Sequence, residues 1–101
     1  MKFVLAFCFS MAILFAGAVH ADAAAGQSTY AAKGCIGCHG SGGVSVVSTN
    51  PSLKGKDAAF IRKTLTEFRS GVRKNPIMNA MAAGLKDEDI NNIADYINSL
   101  K

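Results

Sequence analysis

Cys35-Ile36-Gly37-Cys38-His39 is the feature that most restricts what this chain can be. Two thiols three positions apart, followed at once by an imidazole, form the attachment sequence of a c-type haem. The spacing has a chemical reason. Each thiol can add across a different vinyl group of one porphyrin, and the next residue then lies beside the iron, where His39 supplies a ligand. A thioredoxin-like redox pair has no need of the histidine, and a zinc site needs further ligands that the chain lacks.

The first residues bear on the compartment. Lys2 is a positive start, Phe3 to Val19 is almost continuously apolar, and Val19-His20-Ala21 puts small residues at the two positions a signal peptidase reads. The expectation is a signal peptide over 1–21, a single haem-binding domain over 22–101, and export to the periplasm. A membrane anchor competes, because the apolar stretch approaches the roughly 17 residues of the shortest spanning helices. The Ala-rich flank that follows points to cleavage and to no membrane span in the mature chain.

Cleavage after Ala21 removes Met1, Cys8, Met11 and His20. What remains holds Cys35 and Cys38, a single histidine, His39, and two methionines, Met78 and Met81. No second zinc or haem site can be assembled from that set. Loss of Lys2 lowers the net charge from +4 to +3, mildly basic and without the Lys/Arg run that nucleic-acid binding requires. About 80 residues make one domain, near the size at which a core alone contributes only a few kcal/mol. A covalently held haem is the staple such a chain needs.

Apolar spacing predicts three helical segments separated by Gly-rich loops, with no alternating strand pattern, hence an all-α chain. The first runs from about Ala23 to Lys33 and stops at Gly34. The second starts behind Asp57 as N-cap, carries Phe60, Ile61, Leu65 and Phe68 on one face, and ends at Gly71. In the last, Ile90, Ile93, Ala94, Ile97 and Leu100 make a single stripe from Asp87 onward. The two terminal helices gain most by crossing each other, with Tyr30 and Tyr96 as the large residues at or near the crossing.

The second ligand of the iron must come from outside the attachment motif. Met78 and Met81 are the candidates, together with lysines that would first have to lose a proton. Both methionines fall in Asn75-Pro76-Ile77-Met78-Asn79-Ala80-Met81, read as a loop ahead of the last helix. A single methionine is usually a flexible core filler, but an exposed loop rarely needs two. The residues alone leave open which of the pair binds.

The pattern resembles the small monohaem class I cytochromes c of bacteria, and among them the domains of dihaem cytochromes c and of the haem subunit of flavocytochrome c sulfide dehydrogenase. The resemblance rests on Gly26 and Tyr30, on Cys35-Ile36-Gly37-Cys38-His39-Gly40, and on Asn50-Pro51-Ser52-Leu53-Lys54-Gly55. It continues through Met78 and Gly84-Leu85-Lys86-Asp87-Glu88-Asp89-Ile90, and so spans essentially the whole mature chain. It implies the class I fold, three main helices wrapped around one covalent haem c. It further implies Met78, seven residues before Leu85, as the ligand and Met81 as a contact at the haem edge. Pro51 is implied as the carbonyl that accepts the proton of the ligand imidazole. Two departures stand out. Lys86 occupies the position where relatives often have a capping Ser, which passes the cap to Asp87, and no Trp is present to hold a propionate, which leaves Arg73, Lys74 or Asn75 for that role.

The function so implied is one-electron transfer, not catalysis, because an iron with both axial positions filled by protein has no vacancy for substrate. The partners are other redox proteins: a quinol:cytochrome c oxidoreductase, a terminal oxidase or a periplasmic dehydrogenase. Two alternatives keep the haem. One is a fixed cytochrome subunit of a larger oxidoreductase such as a sulfide dehydrogenase, and the other is a haem enzyme or gas sensor with His39 alone on the iron.

Overall fold

The computed structural model describes residues 23–101, so the expected signal peptide lies outside the described residues. Helix α1 occupies 23–32. It is followed by α2 (Cys35–His39), a single 3₁₀ turn (Ser41–Gly43), α3 (Ala58–Ser70), α4 (Pro76–Ala83) and α5 (Asp87–Ser99). Among the described residues the chain is all helix and loop, as the periodicity requires.

The ends of α3 follow the sequence signals. The Asp57 carboxylate accepts the Phe60 N–H at 2.9 Å, and Gly71 closes the helix in the left-handed region. Two expectations need correction. The segment read as a methionine loop is helical from Pro76 to Ala83, because Asn75 caps it and Pro76 sits in its first turn, where a missing N–H costs nothing. The start of α5 is not capped by Asp87. Asp89 reaches back instead and accepts the Lys86 N–H at 2.9 Å, leaving Asp87 to pair with Arg69 at 2.7 Å.

Packing begins where α1 meets α5. Gly26 is buried, and a Cβ added there would run into the Asn92 carbonyl and come within 2.7 Å of the Tyr96 Cβ, so the helices cross almost backbone to backbone. One turn on, Tyr30 is 1% exposed and its ring lies 5.4 Å from that of Tyr96 at a tilt of 54°. The α5 stripe of Ile90, Ile93, Ala94 and Ile97 is buried against this crossing and against Ile61 of α3. Arg69 of α3 ties down the start of α5 through the Leu85 carbonyl at 3.1 Å, and Asn98 of α5 accepts the Ala58 N–H at 3.3 Å. Leu53, Leu65 and Phe68 remain only partly buried, since the other side of the core opens into a cavity.

Candidate functional site

A cavity of about 470 Å³ lies between α2 on one side and α3 and α4 on the other. Its walls are mostly apolar, with Leu53, Phe60, Ile61, Leu65, Phe68 and Ile93 among them. Such a volume and lining suit a large planar apolar ligand that needs a few polar anchors. Cys35, Cys38, His39, Met78 and Met81 all reach this one space, so the residues singled out in the sequence converge.

His39 is fixed by its neighbour across the loop. Its Nδ1 is 2.8 Å from the carbonyl oxygen of Pro51, and a carbonyl can only accept, so Nδ1 carries the proton. In the neutral ring the other nitrogen, Nε2, then carries the free electron pair, the form in which imidazole binds a metal, and the hydrogen bond raises its basicity. Behind His39 the chain turns at Gly40 with φ 90° and ψ 160°, where a Cβ would collide with the Val44 carbonyl. Only glycine fits that bend.

The Gly40 carbonyl accepts the Tyr30 hydroxyl at 2.6 Å, which ties the α1–α5 crossing to the residue next to His39. Burial, with smaller contributions from Cys35 and Tyr96, pushes the Tyr30 phenol up to about 12, so it stays a donor at any physiological pH. Sequence reasoning placed Tyr30 at the helix crossing and missed this second role. Its spacing of ten residues from Gly40 carries no periodic signal.

Cys35 and Cys38 are both free thiols on α2. Burial raises the Cys35 thiol above its ordinary value. A redox-active cysteine needs the opposite shift, towards thiolate, so the burial of Cys35 weighs against a thioredoxin-like pair alongside the presence of His39. Among the described residues no three His, Cys, Asp or Glu side chains gather to hold a metal ion, which disposes of zinc there.

On the opposite wall, Met78 and Met81 stand one turn apart on the same face of α4. Met78 is half-buried, whereas Met81 is 39% exposed and its Cε approaches to 3.3 Å of where a Cβ on Gly34 would lie, over the attachment turn. Of the residues considered for a propionate, Arg73 and Asn75 line the cavity. Arg73 is engaged with Glu67 at 2.9 Å and lies over the Phe68 ring, and Asn75 accepts the Met78 N–H at 3.0 Å.

Residues 23–101 match the family model for cytochrome c. The chain belongs to the cytochrome c family. Such proteins carry covalently bound haem c, and the two thiols, the imidazole with its free Nε2 and the apolar cavity fit that group. This cytochrome is 38% identical over 81 residues to cytochrome c-554(548) of Halomonas halodenitrificans, an overlap of 77% of this chain and 95% of that protein. It is 39% identical over 90 residues to the thiosulfate dehydrogenase electron acceptor of Stutzerimonas stutzeri, covering 81% of this chain and 42% of that one. Among solved structures it resembles reduced cytochrome c4 from Pseudomonas stutzeri with a TM-score of 0.70 and 36% identity, over 77% of this chain and 47% of that chain. The fold is therefore that of a class I cytochrome c, and the chain spans less than half the length of those last two relatives.

Proposed function

We propose that this cytochrome c is an exported, diffusible one-electron carrier whose haem iron is bound by His39 on one face and Met78 on the other. The observation that carries the reading is the convergence of Cys35, Cys38, His39 and Met78 on one apolar cavity, with the His39 Nε2 freed for a metal by the bond to Pro51. When bound, the haem supplies the chemistry, the gain and loss of one electron at iron. The chain's own part is to anchor the group through Cys35 and Cys38, orient the imidazole, present the Met78 thioether and keep water out with Leu65, Phe68 and Ile93. The apolar leader of 1–21 supports export.

A haem enzyme or gas sensor needs an open axial position, and carbon monoxide tests for one. The ferrous protein at neutral pH is expected to keep its spectrum under carbon monoxide, as an iron closed on both faces must. Rapid, complete binding would replace the carrier by the open-site alternative.

Exposed Ile36, between the two attachment cysteines and outside the cavity lining, supports close approach of a partner at the attachment helix. The ion pairs among the described residues are Arg62–Asp95, Lys63–Glu67, Arg69–Asp87 and Arg73–Glu67, so Lys33, Lys54 and Lys74 are not engaged by acids there. The partner is a redox protein: a quinol:cytochrome c oxidoreductase, a terminal oxidase or a periplasmic dehydrogenase. The relative named as the electron acceptor of thiosulfate dehydrogenase supports the last. With a net charge of only +3 after loss of Lys2 from +4, association with an acidic partner should slow weakly with salt and fall in Lys33→Glu, Lys54→Glu or Lys74→Glu. Rates insensitive to salt and to all three changes would instead mark a fixed subunit of a larger enzyme.

A further inference from the structure

Asn79 neighbours Met78 on α4, and both ends of its carboxamide are engaged. Its Nδ2 donates to the Phe68 carbonyl and to the Arg73 carbonyl, each at 2.9 Å, and its Oδ1 accepts the Asn75 N–H at 3.0 Å. Only this orientation satisfies all three partners, because the flipped amide would face two carbonyls with its oxygen. Asn75 in turn takes the Met78 N–H at 3.0 Å through its own side chain. One side chain thus ties the end of α3, the turn after it and the first residues of α4, and passes the restraint to the backbone of Met78.

The restraint has a mechanical purpose. α4 has eight residues and cannot hold itself in water, since isolated helices shorter than roughly 12–15 residues are marginal. The Met78 thioether is a soft, neutral ligand and binds ferric iron weakly, so the position of its segment decides how often it lets go. Phe68 and Arg73 both line the cavity, so the two residues whose carbonyls Asn79 holds belong to the same wall. We infer that Asn79 is the positioning residue of the sixth ligand, clamping α4 to the end of α3 so that Met78 stays against the iron and small exogenous ligands are refused. This inference rests on Met78 being that ligand.

Imidazole affinity of the ferric, haem-loaded protein reads the clamp directly, because imidazole enters only when the protein ligand has moved away. Asn79→Ala and Asn79→Asp are compared with wild type, with Met78→Ala, and with Asp89→Ala, which removes a hydrogen bond at the start of α5 away from the clamp. Alanine is the better helix former, so a loosened α4 in Asn79→Ala cannot come from helix propensity. Asn79→Asp keeps the size and the acceptor and loses both donated bonds, so it leaves no cavity. Both Asn79 variants are expected to bind imidazole at least tenfold more tightly while Asp89→Ala stays within twofold of wild type. Wild-type affinity in both Asn79 variants, with Met78→Ala raised, would overturn the clamp and leave the ligand in place. Met78→Ala at wild-type affinity would overturn the ligand assignment, and the clamp with it.

Discussion

His39 and Pro51 are twelve residues apart in the chain and 2.8 Å apart in space, Nδ1 to carbonyl oxygen. The loop between them bends at Gly40 and makes a 3₁₀ turn over Ser41–Gly43, after which Leu53 and Lys54 donate their N–H groups to the Gly43 carbonyl. These turn hydrogen bonds hold Pro51 where its carbonyl can choose the imidazole tautomer. The imidazole proposed as the iron ligand is thus oriented by a loop with little regular structure.

The crossing of α1 and α5 depends on Gly26 having no side chain. Gly26→Ala should cost about 3 kcal/mol or more, since the added methyl meets backbone that cannot yield, and lower the melting temperature by on the order of 10–20 °C. Gly84→Ala, where a Cβ meets nothing within 4 Å, is the matched control and should change little. Thermal unfolding of the two haem-loaded variants followed by circular dichroism checks both. Equal melting points would mean the helices do not approach so closely.

Tyr30→Phe should cost about 1–3 kcal/mol at neutral pH by leaving the Gly40 carbonyl without its partner. Because burial raises the folded phenol to about 12 while the unfolded one ionises near 10, its contribution is fully present below pH 10 and is lost as pH rises through 12. Urea unfolding of wild type and Tyr30→Phe from pH 8 to 12 should show the difference shrinking across that window. A constant difference would contradict the buried donor.

Much of this was readable before any coordinates. Asp57, Gly71 and the Ile90-Ile93-Ala94-Ile97 stripe mark two helices through caps and period alone, and the Tyr30–Tyr96 contact follows from the faces they share. Helix α4 reads as loop because Pro76 and two asparagines look like turn residues, although Asn followed by Pro is also how a helix starts when Asn caps and Pro takes the first position. Three acids stand together after Lys86, so the sequence does not single out the capping one, and the geometry picks Asp89. The sequence shows Asn79 only as a neighbour of Met78 and gives no sign of its hydrogen bonds. Its partners at 68, 73 and 75 lie on three different segments, a relation no local pattern encodes.

Without haem the described core has too little to close on. The apolar walls of the cavity, Leu65, Phe68 and Ile93 among them, then face water, and the whole stability of a domain is only about 5–15 kcal/mol. Cys35→Ala/Cys38→Ala is therefore expected to be largely unfolded, with low helicity and no cooperative transition by circular dichroism. A sharp thermal transition in that variant would show the helices to be self-sufficient.

The central claim is that Met78 and His39 hold the iron between them, and the near-infrared sulfur-to-iron band of the ferric protein tests it most directly. Wild type and Met81→Ala should show the band, and Met78→Ala should lack it while keeping its haem covalently attached through Cys35 and Cys38. Loss of the band in Met81→Ala with retention in Met78→Ala would contradict the assignment, and absence of the band in wild type would remove methionine from the iron altogether.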